Sequence, residues 1–99
     1  MTPNRRKEIE ERAISTYGGA SQTDMCIEEM SELTKAICKH RRACKNADGY
    51  DETHDSIIEE IADVQITLDQ MRIIFGSSAD QEEFKLNRLW ARMEEMNEN

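Results

Sequence analysis

Two short acidic signatures contain most of the residues in this sequence that could do chemistry. The first reads Glu-Glu-Met-Ser-Glu over residues 28–32, and the second reads Glu-Ile-Ala-Asp over residues 60–63. Carboxylates three residues apart project from one side of a helix about one turn apart, where like charges repel. Two such pairs brought face to face would form an oxygen-rich cage for a hard divalent cation such as Mg²⁺. The spacing therefore suggests chemistry on a substrate that carries phosphates.

The composition predicts one small all-α domain covering residues 1–99. Of the 99 residues, 37% are hydrophobic and 34% are charged, and the chain has one proline and four glycines. So few turn-forming residues favour helices, and a chain of this length is close to the size at which one core is only just sufficient. We expect a small antiparallel bundle of about four helices, completed by homo-oligomerisation.

Charge and cysteine content narrow the classes of partner. A net charge of −8 argues against binding nucleic acid by broad phosphate neutralisation, and the basic residues 5–7 are offset by Glu8, Glu10 and Glu11. We interpret that segment as a solvated helix start. Three cysteines do not suggest a disulfide framework, and no signal peptide or membrane-spanning run is evident. A cytoplasmic protein without a membrane partner is expected.

Capping and stop signals predict four helices. The first begins after Thr2-Pro3 and ends at Tyr17 before two glycines; the second runs from about Gln22 to Lys45, capped by Ser21 or Thr23. After a loop over residues 46–51, a third helix starts at a cap on Thr53 or Asp55 and ends at Phe75 before Gly76. Ser77-Ser78 opens the last helix, with a capping box from Ser78 to Gln81.

Apolar periodicity shows which faces of the second and third helices should be buried. The second helix has one stripe, whereas the third has two, and a helix that is apolar on two sides is buried on two sides. One short chain cannot easily cover both, which is why a homo-oligomer is expected. The stripe residues are Cys26, Met30, Leu33 and Ile37, then Ile57, Ile61, Val64, Leu68, Met71 and Phe75, and finally Ile58, Ala62, Ile66 and Ile73.

The acidic pairs lie beside these stripes. Glu29 and Glu32 lie on the flank of the stripe of the second helix, and Glu60 and Asp63 lie beside the main stripe of the third, whereas Glu28 points towards solvent. Acidic pairs with the same spacing at residues 8 and 11 and at residues 80 and 83 have no such position. Since a short loop makes the two central helices antiparallel neighbours, their pairs can face each other and form a metal site.

The acidic segments at residues 28–32 and 60–63 resemble the EExxE…ExxD signature of the MazG-like nucleotide pyrophosphohydrolases. This all-α superfamily includes dimeric dUTPases and phosphoribosyl-ATP pyrophosphohydrolases. The sequence around the signature also resembles that of the family, at Tyr17-Gly18, Glu32-Leu33 and Asp63-Val64. The resemblance therefore covers about residues 17–75. It implies Mg²⁺-dependent hydrolysis of a nucleoside triphosphate, with deoxynucleotides as expected substrates, to monophosphate and pyrophosphate. It also implies a dimer or tetramer built on a helix-bundle core.

The resemblance carries specific roles to this chain. It implies that Glu29, Glu32, Glu60 and Asp63 ligate Mg²⁺, for which Mn²⁺ could substitute. Glu28 also matches the signature, but its helical phase points it further away, so we expect it to lie behind the ligands or to bind an additional ion. Water would attack the α-phosphorus, and Glu32 would help to deprotonate it. The alternative is a helical interaction module or a nucleotide sensor that binds without turnover.

Other polar residues have two interpretations each. Lys35 and Lys39 could contact the leaving pyrophosphate, or could simply be cations placed near a helix C-terminus. Gln22 could bind a base edge or be an ordinary first-turn residue, and Asp69 and Gln70 could face the substrate or pack between helices. A zinc site on Cys38, His40 and Cys44 is disfavoured, because residues 38 and 44 lie about 120° apart on a helix.

Overall fold

Glycines at positive φ separate the helices of this protein. In the computed structural model, which describes residues 1–43, 45 and 49–98, the four helices are α1 (Pro3–Tyr17), α2 (Gly19–Arg42), α3 (Tyr50–Phe75) and α4 (Ala79–Glu98). Gly18 and Gly76, at φ 95° and 120°, end α1 and α3 at the predicted residues, because side-chain-bearing residues rarely adopt such angles. The predicted all-α fold is confirmed.

Two helix starts differ from the prediction. α2 begins at Gly19 instead of Gln22, because Gly18 makes the whole turn and its carbonyl already accepts from the Gln22 amide at 3.1 Å. α3 begins at Tyr50 instead of after Thr53, because Gly49 is left-handed and its carbonyl accepts from the Thr53 amide at 2.9 Å. Neither helix uses a side-chain cap, so the predicted caps on Ser21 or Thr23 and on Thr53 or Asp55 are wrong.

The other boundaries follow local hydrogen bonding. The N-cap prediction for Thr2 is confirmed, since its Oγ1 accepts from the Arg5 amide at 3.1 Å. α2 ends at Arg42 and not at Lys45, because Ala43 is extended. At the start of α4 the Ser78 hydroxyl bonds to Glu82 and not to Gln81. Of the loop predicted over residues 46–51, residues 46–48 lie outside the described residues, as does Cys44 of the disfavoured zinc motif. Tyr50 and Asp51 belong to α3 and not to a loop.

The antiparallel pair of α2 and α3 forms the centre of the fold, and α1 packs against both. Cys26 and Val64 are buried between them, whereas Met30, Ile37 and Ile61 of the predicted stripes are more than 40% exposed. The second stripe of α3 is also largely uncovered. The apolar faces of the α2–α3 pair are therefore only partly buried within the chain.

α4 lies apart from the other helices. Its backbone does not closely approach any of them within the described residues, and a side-chain cluster of Arg72, Ser78 and Glu82 connects it to α3. The radius of gyration is 17.5 Å, against about 13 Å for a compact domain of this length. None of the described helices combines the length and apolar character that crossing a bilayer requires.

Candidate metal centre

Three of the four predicted metal ligands meet across the α2–α3 pair. His40 bonds to Thr53 at one end of this pair, and the same antiparallel register brings residue 29 opposite residues 60 and 63. Glu29, Glu60 and Asp63 each offer a carboxylate oxygen, and the three oxygens lie within 4.8 Å of one another. We call these three residues the carboxylate triad. Oxygens at this separation can share one cation.

Position along the two helices explains why these carboxylates converge. Glu60 and Asp63 are three residues apart on α3, so they lie on one face about a turn apart, as the sequence predicts. Their neighbour Val64 is buried, which holds this stretch of backbone against α2. Glu29 and Glu60 are half-buried, and Asp63 is exposed. The site is thus open to solvent on one side, where a ligand could enter.

The electrostatics of the triad favour a cation. Burial raises the pKa of Glu29 above its ordinary value, and the nearby carboxylates of Asp63 and Glu60 raise it further. Glu28 and Glu32 add weaker effects of the same sign. Within the described part of the chain, no lysine or arginine forms an ion pair with a member of the triad. The described residues therefore do not compensate the negative charge of the triad.

One triad oxygen has no partner of its own. Glu60 Oε2 is buried and accepts no hydrogen bond from any described residue. An unsatisfied buried acceptor costs roughly 1–3 kcal/mol, and more when it is charged. An oxygen-only donor set with an unsatisfied anionic oxygen fits a hard divalent ion such as Mg²⁺ or Mn²⁺, and does not resemble the nitrogen and sulfur sites of zinc.

Glu32, the proposed base, lies outside this cluster. Its side chain is exposed, and its charge has the weakest effect of those that raise the pKa of Glu29. Glu28 is exposed as well, in agreement with the helical phase expected for it. The structure thus brings three of the four predicted ligands together and leaves Glu32 at the solvent edge.

A cleft of about 380 Å³ adjoins the triad between α2, α3 and the end of α1. Glu29 and Asp63 line it beside two kinds of neutral residue. Three further residues are polar and buried, namely Gln22, Thr67 and Gln70, and three are apolar or aromatic, namely Tyr17, Met25 and Ile66. The cleft is therefore negative at the triad and uncharged over the rest of its lining.

The predicted substrate residues divide between this cleft and the surface. Gln22 and Gln70 line the cleft, as one of their two interpretations required. Lys35 and Lys39 are exposed and do not line it. Sequence reasoning did not assign Tyr17, Met25 or Ile66 to the site; the signal available was the polar run of Asp63, Thr67 and Gln70 along α3, whose neighbours on α2 complete the lining.

Asp69 belongs to a second polar cluster, which ties α1 to α3. Its Oδ2 accepts from Arg6 Nε at 2.7 Å, and its Oδ1 accepts from Gln65 at 3.0 Å. Although burial alone would raise the pKa of Asp69, hydrogen bonds from Arg6, Glu10 and Gln65 lower it below its ordinary value. Asp69 is thus an interhelical residue.

Glu10 completes that cluster in an unexpected way. The sequence suggested a solvated side chain, but it is 5% exposed. Burial, followed by its hydrogen bond to Asp69, raises the pKa of Glu10 to about 7. Its protonated carboxyl can therefore donate to the ionised Asp69 near neutral pH.

Comparisons with known proteins leave the family open. No protein-family model matches the chain, and neither a curated protein nor a solved structure does.

Proposed function

We propose that this protein hydrolyses nucleoside triphosphates, with deoxynucleotides as the expected substrates, to a monophosphate and pyrophosphate. The observation that carries the proposal is the carboxylate triad, whose Glu60 oxygen has no partner among the described residues, at the edge of a cleft that is otherwise uncharged. A cation on the triad would bind the phosphates while the cleft receives the uncharged end of the same molecule. The resemblance of residues 28–32 and 60–63 to the MazG-like signature supports the same activity.

The proposed mechanism gives each acidic residue a task. Glu29, Glu60 and Asp63 would hold Mg²⁺, or Mn²⁺ in its place, which when bound neutralises the triphosphate and polarises its oxygens. Glu32 would orient the attacking water and accept its proton. The water oxygen bonds to the α-phosphorus, the bond to the α–β bridging oxygen breaks, and pyrophosphate leaves. Lys35 would contact the departing pyrophosphate from the same helix, and Lys39 would do so one turn further along.

We also propose that the active form is a homo-oligomer. The chain exposes 8092 Å², about 2,300 Å² more than the roughly 5,800 Å² expected for a compact monomer of its mass. An excess of this size matches what intimate homo-oligomers bury. Leu89 and Trp90 of α4 are exposed by half or more, as are other apolar residues of that helix. A second copy would cover this face and the outer stripe of α3.

The proposed setting is a reducing cytoplasm, with a nucleotide and a second copy of the chain as partners. Cys26 and Cys38 are both free thiols, which agrees with such a compartment. The net charge of −8 disfavours nucleic acid as a partner.

A nucleotide sensor without turnover is the second candidate. The observation that favours it is the position of Glu32, the proposed base, outside the triad and exposed. Such a sensor would need the triad and the cleft but no base. It would bind a metal–nucleotide complex and release no product.

A substrate panel separates the two functions. Purified protein is incubated with the common deoxynucleoside and ribonucleoside triphosphates, with Mg²⁺ or with a chelator, and the products are resolved by anion exchange. The enzyme releases monophosphate and pyrophosphate in equal amounts, and only with metal. Metal-dependent binding without product from any nucleotide would identify a sensor instead.

A further inference from the structure

The two histidines of the chain lie side by side where α2 ends and α3 begins. The ring centroids of His40 and His54 are 6.0 Å apart, and Tyr50 packs its own ring 4.6 Å from that of His40. His40 is half-buried, whereas the side chain of His54 is 60% exposed. Residue 54 precedes Glu60 by about 9 Å along the helix axis. The histidine pair is therefore separate from the carboxylate triad.

A hydrogen bond fixes the tautomer of His40. The Thr53 hydroxyl donates its hydrogen to the Tyr50 carbonyl at 2.8 Å, so the hydroxyl oxygen can only accept from the imidazole. His40 Nδ1 lies 2.8 Å from that oxygen and therefore carries a hydrogen. In the neutral ring the lone pair is then on Nε2, to which no described residue donates a hydrogen bond.

His54 has the same arrangement in a weaker form. Its Nδ1 faces the Asp55 carboxylate at 3.7 Å, which favours a hydrogen on Nδ1 and leaves the lone pair on Nε2. Histidines that bind metals have this polarity, because one ring nitrogen donates its hydrogen to an oxygen while the other ligates the ion. Both rings thus present the nitrogen that a metal requires.

The spacing of the two rings fits one cation. A tetrahedral zinc ion about 2.0–2.1 Å from each nitrogen holds two imidazole centres roughly 5 Å apart. The observed separation of 6.0 Å is slightly larger, and rotation of the exposed His54 side chain can close it. Imidazole suits Zn²⁺, Ni²⁺ and Cu²⁺, whereas Mg²⁺ prefers oxygen ligands. The histidine pair and the triad therefore select different metals.

We infer that His40 and His54 bind one Zn²⁺, or a similar cation such as Ni²⁺, through their Nε2 atoms. The described residues add no third histidine, cysteine or carboxylate to the pair, so water completes the coordination. Because His40 belongs to α2 and His54 to α3, the bound cation links the two helices beside the segment that connects them. The inference goes beyond the proposed function and does not rest on it.

Nuclear magnetic resonance of the imidazole rings tests the site directly, since the chain has two histidines in all. Long-range proton–nitrogen spectra of the native protein are recorded during a titration with Zn²⁺, in the presence of a reducing agent and saturating Mg²⁺. Before zinc is added, His40 should show the tautomer with hydrogen on Nδ1. With one equivalent of zinc, the Nε2 resonances of both rings should shift together. Calorimetry under the same conditions gives the dissociation constant.

Single variants assign the ligands. His54→Gln should weaken zinc binding at least tenfold and abolish the shift of His40 Nε2, and His40→Gln should do the same for His54. Two controls separate the pair from other possible ligands. Cys38→Ser changes an exposed thiol two residues before His40, and Asp63→Asn changes the triad; both should keep the shifts of the two rings.

The outcomes decide the inference whether or not the chain hydrolyses nucleotides. A joint shift of both rings that is lost in each histidine variant supports it. A response of one ring or of neither, a response that needs a large excess of zinc, or a His40 shift that persists in His54→Gln overturns it. Loss of the shifts in Cys38→Ser does so as well. Since the native spectra alone show whether both rings respond, a variant that does not fold leaves the test intact.

Discussion

Replacing the buried Glu10 with glutamine should change how the stability of the protein depends on pH. In the folded chain the Glu10 pKa is raised from 4.5 to about 7, because the side chain is buried and shares a proton with Asp69. Glu10→Gln supplies a permanent donor to Asp69, since its amide N–H takes the place of the acid proton. The variant should therefore behave as if Glu10 were always protonated.

The size and sign of the effect follow from the two pKa values of Glu10. A raised pKa means that the folded state binds the proton more tightly, so the stabilisation is complete below pH 4.5 and is lost as pH rises through about 7. The shift corresponds to a change of at most about 3 kcal/mol in the free energy of unfolding. This figure is an upper bound, because half-exposed Arg6 leaves the cluster open to screening by water. Asp69 titrates below this window, because its pKa is lowered.

Urea unfolding at fixed protein concentration, with chelator and between pH 5 and 8, measures this dependence. The native free energy of unfolding should fall by up to about 1.4 kcal/mol per pH unit between pH 5 and 7 and then level off. Glu10→Gln should remove most of this slope. Glu11→Gln, on the exposed side of the same helix, should retain it. The reasoning is refuted if Glu10→Gln and the native chain lose stability at the same rate, or if native stability rises over this range.

Three further predictions concern the triad, the oligomer and the phosphate contacts. Mg²⁺ at 100 times its dissociation constant should add about 2.7 kcal/mol to the free energy of unfolding and raise the melting temperature by several degrees. Asp63→Asn should abolish this rise. A melting temperature of the native chain that Mg²⁺ does not change counts against metal binding by the triad. Trp90→Glu should give a monomer in light scattering, whereas an unchanged mass excludes α4 from the interface. Lys35→Ala should lower kcat/KM on the order of tenfold, and unaltered kinetics would make it an ordinary surface cation.

Helix ends were more predictable from the sequence than helix starts. The stops at Tyr17 and Phe75 follow from glycines whose positive φ angles other residues rarely adopt. The starts of α2 and α3 were misplaced, because serine and threonine near a helix start resemble caps even where a preceding glycine makes the turn. Thr53 is an example: it lies inside the first turn of α3 and bonds to the Tyr50 carbonyl.

The site was predictable where it depends on register along two helices. Spacing on α3 and the antiparallel pairing were enough to bring Glu29 to Glu60 and Asp63. Glu32 has the same spacing from Glu29 as Asp63 has from Glu60, so spacing alone could not show that Glu32 lies outside the cluster. The burial of Glu10 depends on how α1 docks against α3, and a segment dense in charge gives no sign of it.

The rate of pyrophosphate release from a deoxynucleoside triphosphate, compared between two neighbouring variants of α3, tests the central claim most directly. Glu60→Gln removes the charge behind the unpartnered triad oxygen, whereas Glu59→Gln removes an exposed carboxylate one residue away that lies outside the triad. With saturating Mg²⁺, the account predicts a rate near that of the native chain for Glu59→Gln and a loss of at least a hundredfold for Glu60→Gln, with both variants folded. Equal rates in the two variants would contradict it.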